Sequence, residues 1–162
     1  MPEPGQEAPD FDLPDEKGAR VALHELRGAP VVVYFYPRAD TPGCTTQACG
    51  VREHHGDYAT VNARVLGISP DPVSKIKKFH DKQSLNFTLL ADSDHAVAER
   101  YGVWIEKSMY GKTYFGNERT TFVIDGQRSG YGRRSAAQGQ AGRARRARLG
   151  GIARRALRPA RR

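Results

Sequence analysis

Both cysteines of this chain, Cys44 and Cys49, lie in one short segment, YPRADTPGCTTQACG, at residues 36–50. Paired thiols can act as nucleophiles, as metal ligands or as the partners of a reversible disulfide. A five-residue separation encloses too small a loop for a stabilising crosslink, and two cysteines do not make a disulfide-rich secreted framework. The pair therefore predicts a catalytic or metal-binding role rather than a permanent disulfide.

The residues before Cys44 have the pattern of a helix start. Thr41 is suited to the cap position and Pro42 to the first helical position, which places Cys44 in the opening turn. A thiolate there is stabilised by free backbone N–H groups and by the positive end of the helix dipole, and a nearby Arg or Lys adds to this. The pattern favours a reactive thiol at Cys44. The alternative is a small buried cysteine that only packs.

The spacing of the two cysteines restricts how they can pair. If the helix continues through Cys49, the side chains point about 140° apart and the Cα atoms lie roughly 8 to 9 Å apart. A disulfide needs Cα atoms within about 7 Å. The thiols are therefore expected to stay separate in the folded helix and to join only after local opening, which the poor helix formers Gly43, Thr45 and Thr46 make less costly.

The residue types admit two other functions of the pair. A thioredoxin-type reductase is expected to have two residues between its cysteines, whereas this chain has four. A zinc site needs four ligands, for which Cys44, Cys49, His54 and His55 are candidates, but one continuous helix points these side chains in different directions. Both alternatives are weaker than a reactive thiol.

The first 126 residues predict alternating strands and helices. PVVVYFY at 30–36 is an uninterrupted β-branched and aromatic run, which indicates a central strand covered on both faces. Further strands are predicted for FDL and VALHEL, which form an edge hairpin around DEKG, and for ARVLGIS, NFTLLAD and RTTFVID. The sequence therefore predicts an α/β domain of three layers, α/β/α, around a central sheet.

Three helices and one long loop complete this prediction. The first helix covers residues 44–61, and the second starts in DPVSKIKKFHDKQSL with Asp71 as N-cap and Pro72 at its first position. The third is HAVAERYG, closed by Gly102, and the segment KSMYGKTYFGNE at 107–118 is predicted to be a loop. These elements place the cysteine segment directly after the central strand.

The net charge of +8 is unevenly distributed. Residues 1–126 contain 14 Lys and Arg against 18 Asp and Glu, whereas residues 127–162 contain 12 Arg and no acidic residue. We therefore divide the chain into a domain, 1–126, and an Arg/Ala/Gly-rich tail, 127–162, that is predicted to be disordered and to lack strands. A basic amphipathic helix at 149–157 and a shifted reading frame are alternatives for the tail.

Targeting signals and membrane spans are absent from the sequence pattern. The N-terminus is acidic and lacks the basic and apolar regions of an export signal, so a cytoplasmic location is expected. The apolar run at 30–36 is far shorter than the roughly 20 residues of a membrane span. We expect no membrane insertion, no metal and no organic cofactor.

The segment FYPRADTPGCTTQACGVRE resembles the active-site segment of peroxiredoxins of the bacterioferritin-comigratory, or Q, type, which carries a Pro-x-x-x-Thr-x-x-Cys motif. The segments EAPDFDL, LRGAPVVVYFYP, VLGISPD and YGKTYFGNERTTFVID are similar to the same family in the same order, over residues 7–126. The resemblance implies a thioredoxin-like fold with a mixed sheet and a thiol peroxidase that reduces hydrogen peroxide or alkyl hydroperoxides. It also implies thioredoxin, or a similar dithiol, as reductant. We expect a monomer or a weak dimer.

The resemblance also assigns roles to five residues. Cys44 would attack the peroxide and become a sulfenic acid, and Cys49 would condense with it to an intrachain disulfide. Thr41 would hydrogen-bond the thiolate and the peroxide, Pro37 would shield the thiol from water, and Arg119 would pair with the thiolate and the peroxide oxygens. Gln47 stands where relatives often have an acidic residue, and we assign it no role.

The resemblance ends after FVID, where the family has another strand and a C-terminal helix and this chain has GQRSGYGRRSAAQG. The sequence therefore gives no family counterpart for the last sheet edge. It also admits a second function, in which an impaired peroxiredoxin domain carries a basic tail that binds nucleic acid or anionic surfaces.

Overall fold

The computed structural model describes residues 5–127 and 129–134. Residues 135–162, which include the predicted tail helix and most of the segment with a possible frame shift, lie outside the described residues. Within the described part of the chain, no helix is both long and apolar enough to cross a bilayer.

The described chain contains ten strands, four α-helices and a 3-10 turn at Leu23–Leu26. The strands are β1 (Gln6–Glu7), β2 (Asp12–Pro14), β3 (Arg20–Ala22), β4 (Val31–Phe35), β5 (Arg64–Ser69), β6 (Thr88–Ala91), β7 (Trp104–Met109), β8 (Lys112–Asn117), β9 (Thr120–Ile124) and β10 (Ser129–Arg134). The helices are α1 (Pro42–Glu53), α2 (His55–Thr60), α3 (Val73–Lys82) and α4 (Ala96–Arg100).

The main sheet has the order β1-β10-β9-β4-β5-β6 and is mixed, because β4 pairs parallel with β5 and antiparallel with β9. Apolar clusters cover both of its faces, one of them with side chains from α4 and the other with side chains from α1, α2 and α3. This confirms the predicted three-layer α/β/α architecture. It also makes β4 the element from which the cysteine segment leaves the sheet.

All five residues of β4 are buried, as its unbroken apolar run predicts. Val33 and Phe35 point into the cluster that contains α4, whereas Val32 and Tyr34 point into the cluster that contains α1 and α3. Successive side chains of a strand face opposite sides, so a strand covered on both faces needs apolar residues at every position.

Gly67 lies at a tight contact next to β4. A Cβ atom at this position would lie 2.8 Å from the ring of Tyr34 and 2.9 Å from Leu89. We expect Gly67→Ala to lower the free energy of unfolding by about 1 to 3 kcal/mol, because a rigid core has to shift to admit a methyl group. Urea denaturation measures this.

The matched control for Gly67→Ala is Gly56→Ala in α2, where nothing lies within 4 Å of the added Cβ. This variant is expected to be neutral or more stable by up to about 1 kcal/mol, since alanine favours a helix over glycine. Equal urea midpoints for the two variants would show that Gly67 is not sterically required.

The predicted loop at 107–118 is wrong, because β7 and β8 form an antiparallel hairpin there. Tyr110 and Gly111 both have positive φ, and Met109 pairs with Lys112, so two residues make the turn. Such a turn matches the right-handed twist of the flanking strands. Tyr110, Tyr114 and Phe115 are all at the surface, so the hairpin lacks the alternation of buried apolar and exposed polar residues from which strands are predicted.

The prediction of no strand after residue 126 is also wrong. Residues Ser129–Arg134 form β10, which pairs antiparallel with β9 and continues the sheet to β1. The chain turns after β9, where the Asp125 carboxylate accepts a hydrogen bond from Gln127 N at 2.9 Å. Backbone pairing with β9 does not require β-branched residues, which are the residues from which strands are predicted. The sequence pattern therefore did not indicate β10.

The predicted boundaries need three smaller corrections. The edge hairpin forms as β2 and β3 in a sheet of their own, and VALHEL leaves the strand after Ala22. The first predicted helix is divided into α1 and α2 at His54. The N-cap of α3 is Pro72 rather than Asp71, because the Asp71 carboxylate accepts hydrogen bonds from Ala39 N and the Ser69 hydroxyl.

Candidate active site

Cys44 lies in the first turn of α1, whose N-cap is Thr41 and whose first residue is Pro42, as the sequence predicts. Its side chain is only 2% exposed and packs in the same cluster as Ala48 and Val51. This burial is greater than the turn residues around Cys44 suggest. The thiol is therefore shielded from bulk water and belongs to the first turn of a helix.

Arg119 lies directly against this thiol. Its Nη2 donates to Cys44 Sγ at 3.3 Å, and its Nη1 donates to Gln47 Oε1 at 2.6 Å. A guanidinium donates a charge-assisted hydrogen bond to sulfur, and its rigid fork here reaches Cys44 and Gln47 at the same time. The structure thus brings together two residues that the sequence analysis paired only by resemblance.

The topology of the sheet explains why Arg119 meets Cys44. Phe35, at the end of β4, is the register partner of Thr120, at the start of the antiparallel β9. The residue before Thr120 therefore lies beside the loop that follows Phe35 and leads into α1. In this way 75 positions of sequence separation are closed by one strand pair.

Gln47 belongs to the site, although the sequence analysis assigned it no role. It lies one helical turn after Cys44 and accepts the short hydrogen bond from Arg119. Residues three positions apart lie on the same side of a helix, so the spacing from Cys44 was the signal that could have identified it. The contact orients the guanidinium towards the sulfur.

Thr41 and Pro37 lie in the loop between β4 and α1. The Thr41 hydroxyl donates to the Arg38 carbonyl at 3.1 Å rather than to Cys44, and α1 receives no side-chain cap bond from it among the described contacts. Pro37 is half-buried in the same loop. The structure therefore places both residues next to the site without showing the contact to sulfur that was predicted for Thr41.

Cys49 lies in the same continuous helix as Cys44, and both thiols are free. Cys49 is half-buried and donates to Gln83 Oε1 at 3.6 Å. The two sulfurs thus have separate surroundings, one beside Arg119 and the other beside the end of α3.

The zinc alternative finds no support in the described residues, which contain no group of three or more His, Cys, Asp or Glu side chains placed to hold an ion. Cys44 is buried against Arg119, whereas His54 is exposed, with its ring 3.2 Å from Asp57.

A set of long-range contacts holds the loops of the site. Asp71 accepts from Ala39 N at 2.7 Å, and Asn117 Nδ2 donates to the Tyr36 carbonyl at 3.2 Å. Lys107 Nζ in turn donates to the Asn117 carbonyl. These contacts fix the loop before α1 and the turn that carries Arg119, and the sequence analysis identified none of them.

Lys107 adds positive charge near Arg119. Burial lowers the pKa of its ammonium below the usual value, and the charge of Arg119 lowers it further, while Cys44 and Glu118 act in the opposite direction. Lys107 lies in the segment predicted to be a loop, so no sequence pattern indicated that it belongs near the site.

Comparison with known proteins identifies the class of this site. The profile of the AhpC/TSA family matches residues 4–129. The chain belongs to the AhpC/TSA family. It is 52% identical over 121 residues to peroxiredoxin Bcp of Escherichia coli K12, covering 75% of this chain and 78% of that protein. A putative peroxiredoxin of Mycobacterium tuberculosis H37Rv is 52% identical over 122 residues, with the same coverage.

Solved structures lead to the same class. Peroxidoxin BcpB of Mycobacterium tuberculosis superposes with a TM-score of 0.79 at 36% identity, covering 98% of this chain and all of that one. The bacterioferritin comigratory protein of Xanthomonas campestris has a TM-score of 0.82 at 31% identity, covering 88% and 92%. The fold is therefore the thioredoxin-like fold of peroxiredoxins, and this peroxiredoxin is a thiol peroxidase.

Proposed function

We propose that this peroxiredoxin reduces hydrogen peroxide and alkyl hydroperoxides at Cys44 and that Cys49 resolves the oxidised product. The observation that carries the proposal is the contact between Arg119 Nη2 and Cys44 Sγ at the start of α1. A buried sulfur beside a cation, in the first turn of a helix, is suited to react as a thiolate.

In the first step, the Cys44 thiolate attacks one oxygen of the hydroperoxide. The sulfur–oxygen bond forms as the oxygen–oxygen bond breaks, and two electrons pass from sulfur to the peroxide. The departing oxygen takes a proton from solvent, equivalent to the one that the thiol released when it ionised, and leaves as water or an alcohol. Arg119 stabilises the charge on that oxygen, because its N–H donors already point towards the reacting sulfur.

Thr41 and Pro37 complete the pocket in this proposal. The Thr41 hydroxyl, which donates to the Arg38 carbonyl in the described state, still has lone pairs that can accept a hydrogen bond from a bound hydroperoxide. Pro37 has no N–H to solvate and covers the approach to the thiol. Gln47 keeps the guanidinium of Arg119 in place.

In the second step, the Cys49 thiol condenses with the Cys44 sulfenic acid, which gives a disulfide and one water. Helix α1 separates the two sulfurs, so part of the helix must unwind before they bond. A dithiol protein of the thioredoxin type then reduces the disulfide by thiol exchange. The cycle needs no metal or organic cofactor.

The substrate class is supported by one relative in particular. The structure of the Xanthomonas campestris bacterioferritin comigratory protein is described in terms of its alkyl peroxide reduction activity. We extend that substrate class to this chain because the two folds superpose closely. A cytoplasmic location is part of the proposal, since a thioredoxin-type reductant works in a reducing compartment. A monomeric or weakly dimeric state is also part of the proposal.

The proposal is tested by adding one equivalent of hydrogen peroxide to the reduced protein. The intact mass is expected to fall by about 2 Da, and digestion is expected to yield a peptide with Cys44 bonded to Cys49. The control is the same sample without peroxide, in which both thiols alkylate. If both thiols still alkylate after oxidation, the assigned roles are wrong.

A further inference from the structure

The part of α1 that carries Cys49 is tied to the end of α3. Gln83 Oε1 accepts from the Cys49 thiol at 3.6 Å, and the Gln83 carbonyl accepts from Arg52 Nη1. Asn86 Nδ2 donates to the Arg52 carbonyl at 3.2 Å. We call these three contacts the Gln83 anchor. They join residues more than 30 positions apart, so they do not depend on the helix itself.

The part of α1 that carries Cys44 is held differently. Gly43, Thr45 and Thr46 are poor helix formers, and the Thr46 hydroxyl bonds back to the Pro42 carbonyl at 3.0 Å. The main polar contacts between the Cys44 part of α1 and other elements are those of Arg119 with Cys44 and Gln47.

Oxidation affects the two parts unequally. When Cys44 becomes a sulfenic acid, the thiolate charge that attracts Arg119 is lost, and the charge-assisted contact weakens. The Gln83 anchor contains no group that changes in this step. The first reaction therefore loosens the Cys44 part of α1 and leaves the Cys49 part fixed.

We propose that Gln83 is a positioning residue for Cys49, and that the Gln83 anchor keeps the Cys49 part of α1 folded while the Cys44 part unwinds and brings its sulfur to Cys49. The inference rests on the proposed two-cysteine cycle. It specifies which cysteine moves: Cys44 changes position during the cycle, whereas Cys49 stays in place.

Hydrogen exchange tests which part unwinds. The reduced protein and the disulfide form are compared by mass spectrometry after oxidation with one equivalent of peroxide. Amides of residues 45–48 are expected to lose protection in the disulfide form. The amides of Glu53 and His54 are expected to keep it, because their acceptors, the carbonyls of Cys49 and Gly50, lie in the part that stays folded. Loss of protection at Glu53 and His54 equal to that at residues 45–48, or confined to Glu53 and His54, would overturn the proposal.

Variants test the anchor itself. Gln83→Met removes the acceptor for Cys49 at similar length, and Arg52→Ala removes the contact to the Gln83 carbonyl. Each is expected to slow disulfide formation about 3- to 10-fold, the effect of one or two lost hydrogen bonds. The rate of peroxide attack at Cys44 is expected to stay the same. More Cys44 should then reach the sulfinic acid at high peroxide.

The controls are Lys78→Met, on the exposed side of α3, and Arg64→Ala, at the exposed start of β5. Neither is expected to change the ratio of the two rates. An unchanged or faster disulfide step in the anchor variants contradicts the proposal, since the contacts would then be neutral or would hold Cys49 back. If the wild type forms no disulfide at all, the proposed cycle fails instead, so the two failures are distinguishable.

Discussion

Cys44→Ser is expected to lower peroxide-dependent oxidation of thioredoxin by about 10⁴-fold or more, to the background rate. A serine hydroxyl does not ionise near neutral pH and cannot pass through a sulfenic acid. Because serine differs from cysteine by one atom, the buried site at the start of α1 is expected to stay folded. A coupled assay with thioredoxin and its reductase measures the loss.

Cys49→Ser is the matched comparison for this variant. It retains the thiolate at Cys44 and the Arg119 contact, so the first equivalent of peroxide is expected to be consumed at the wild-type rate. Turnover with thioredoxin is expected to fall sharply, and Cys44 is expected to proceed to sulfinic acid. Equal loss of the first turnover in both variants would show that the two cysteines do not have the distinct roles proposed.

Arg119→Ala is expected to slow peroxide attack at Cys44 by about 10² to 10³-fold, as the loss of a preorganised donor does in other enzymes. Ionisation of the thiol cannot account for such a loss. A thiol of ordinary acidity is a few per cent ionised at pH 7, so full ionisation raises the thiolate fraction by no more than about 30-fold. The remainder must come from stabilising the departing oxygen.

Two measurements on the same Arg119 variant separate these contributions. Stopped-flow mixing with peroxide gives the rate of attack, and thiolate absorbance against pH gives the ionised fraction. Arg119→Lys serves as the control, since it retains the positive charge but cannot donate to Cys44 and Gln47 through one rigid fork. A rate loss in Arg119→Ala that equals the change in the ionised fraction would rule out the proposed role of its N–H donors.

The local parts of the site were predictable from the sequence. The cap position of Thr41, Pro42 at the start of the helix and Cys44 in its first turn follow from residues that are neighbours in the chain. The burial of β4 follows from its unbroken apolar run. Such features depend on short-range sterics and on the period of the pattern, both of which can be assessed over a few residues.

The errors arose where local residues are poor indicators of strand pairing. The β7–β8 hairpin has exposed aromatic residues, and β10 is rich in glycine and arginine. Each strand forms because a partner strand satisfies its backbone N–H and C=O groups, which is a property of the pair. Asp71 shows the same effect at a helix start. Its carboxylate was expected to cap α3, but it accepts a hydrogen bond from the distant backbone N–H of Ala39 instead.

The sequence by itself determined the chemistry of this protein: two thiols in one helix, the first at its N-terminus, too far apart to bond without unwinding. The tertiary structure alone decided what surrounds each sulfur. Arg119 reaches Cys44 across 75 positions and Gln83 reaches Cys49 across 34. These contacts depend on how strands pair and helices pack, and that packing is a property of the whole fold rather than of any short segment.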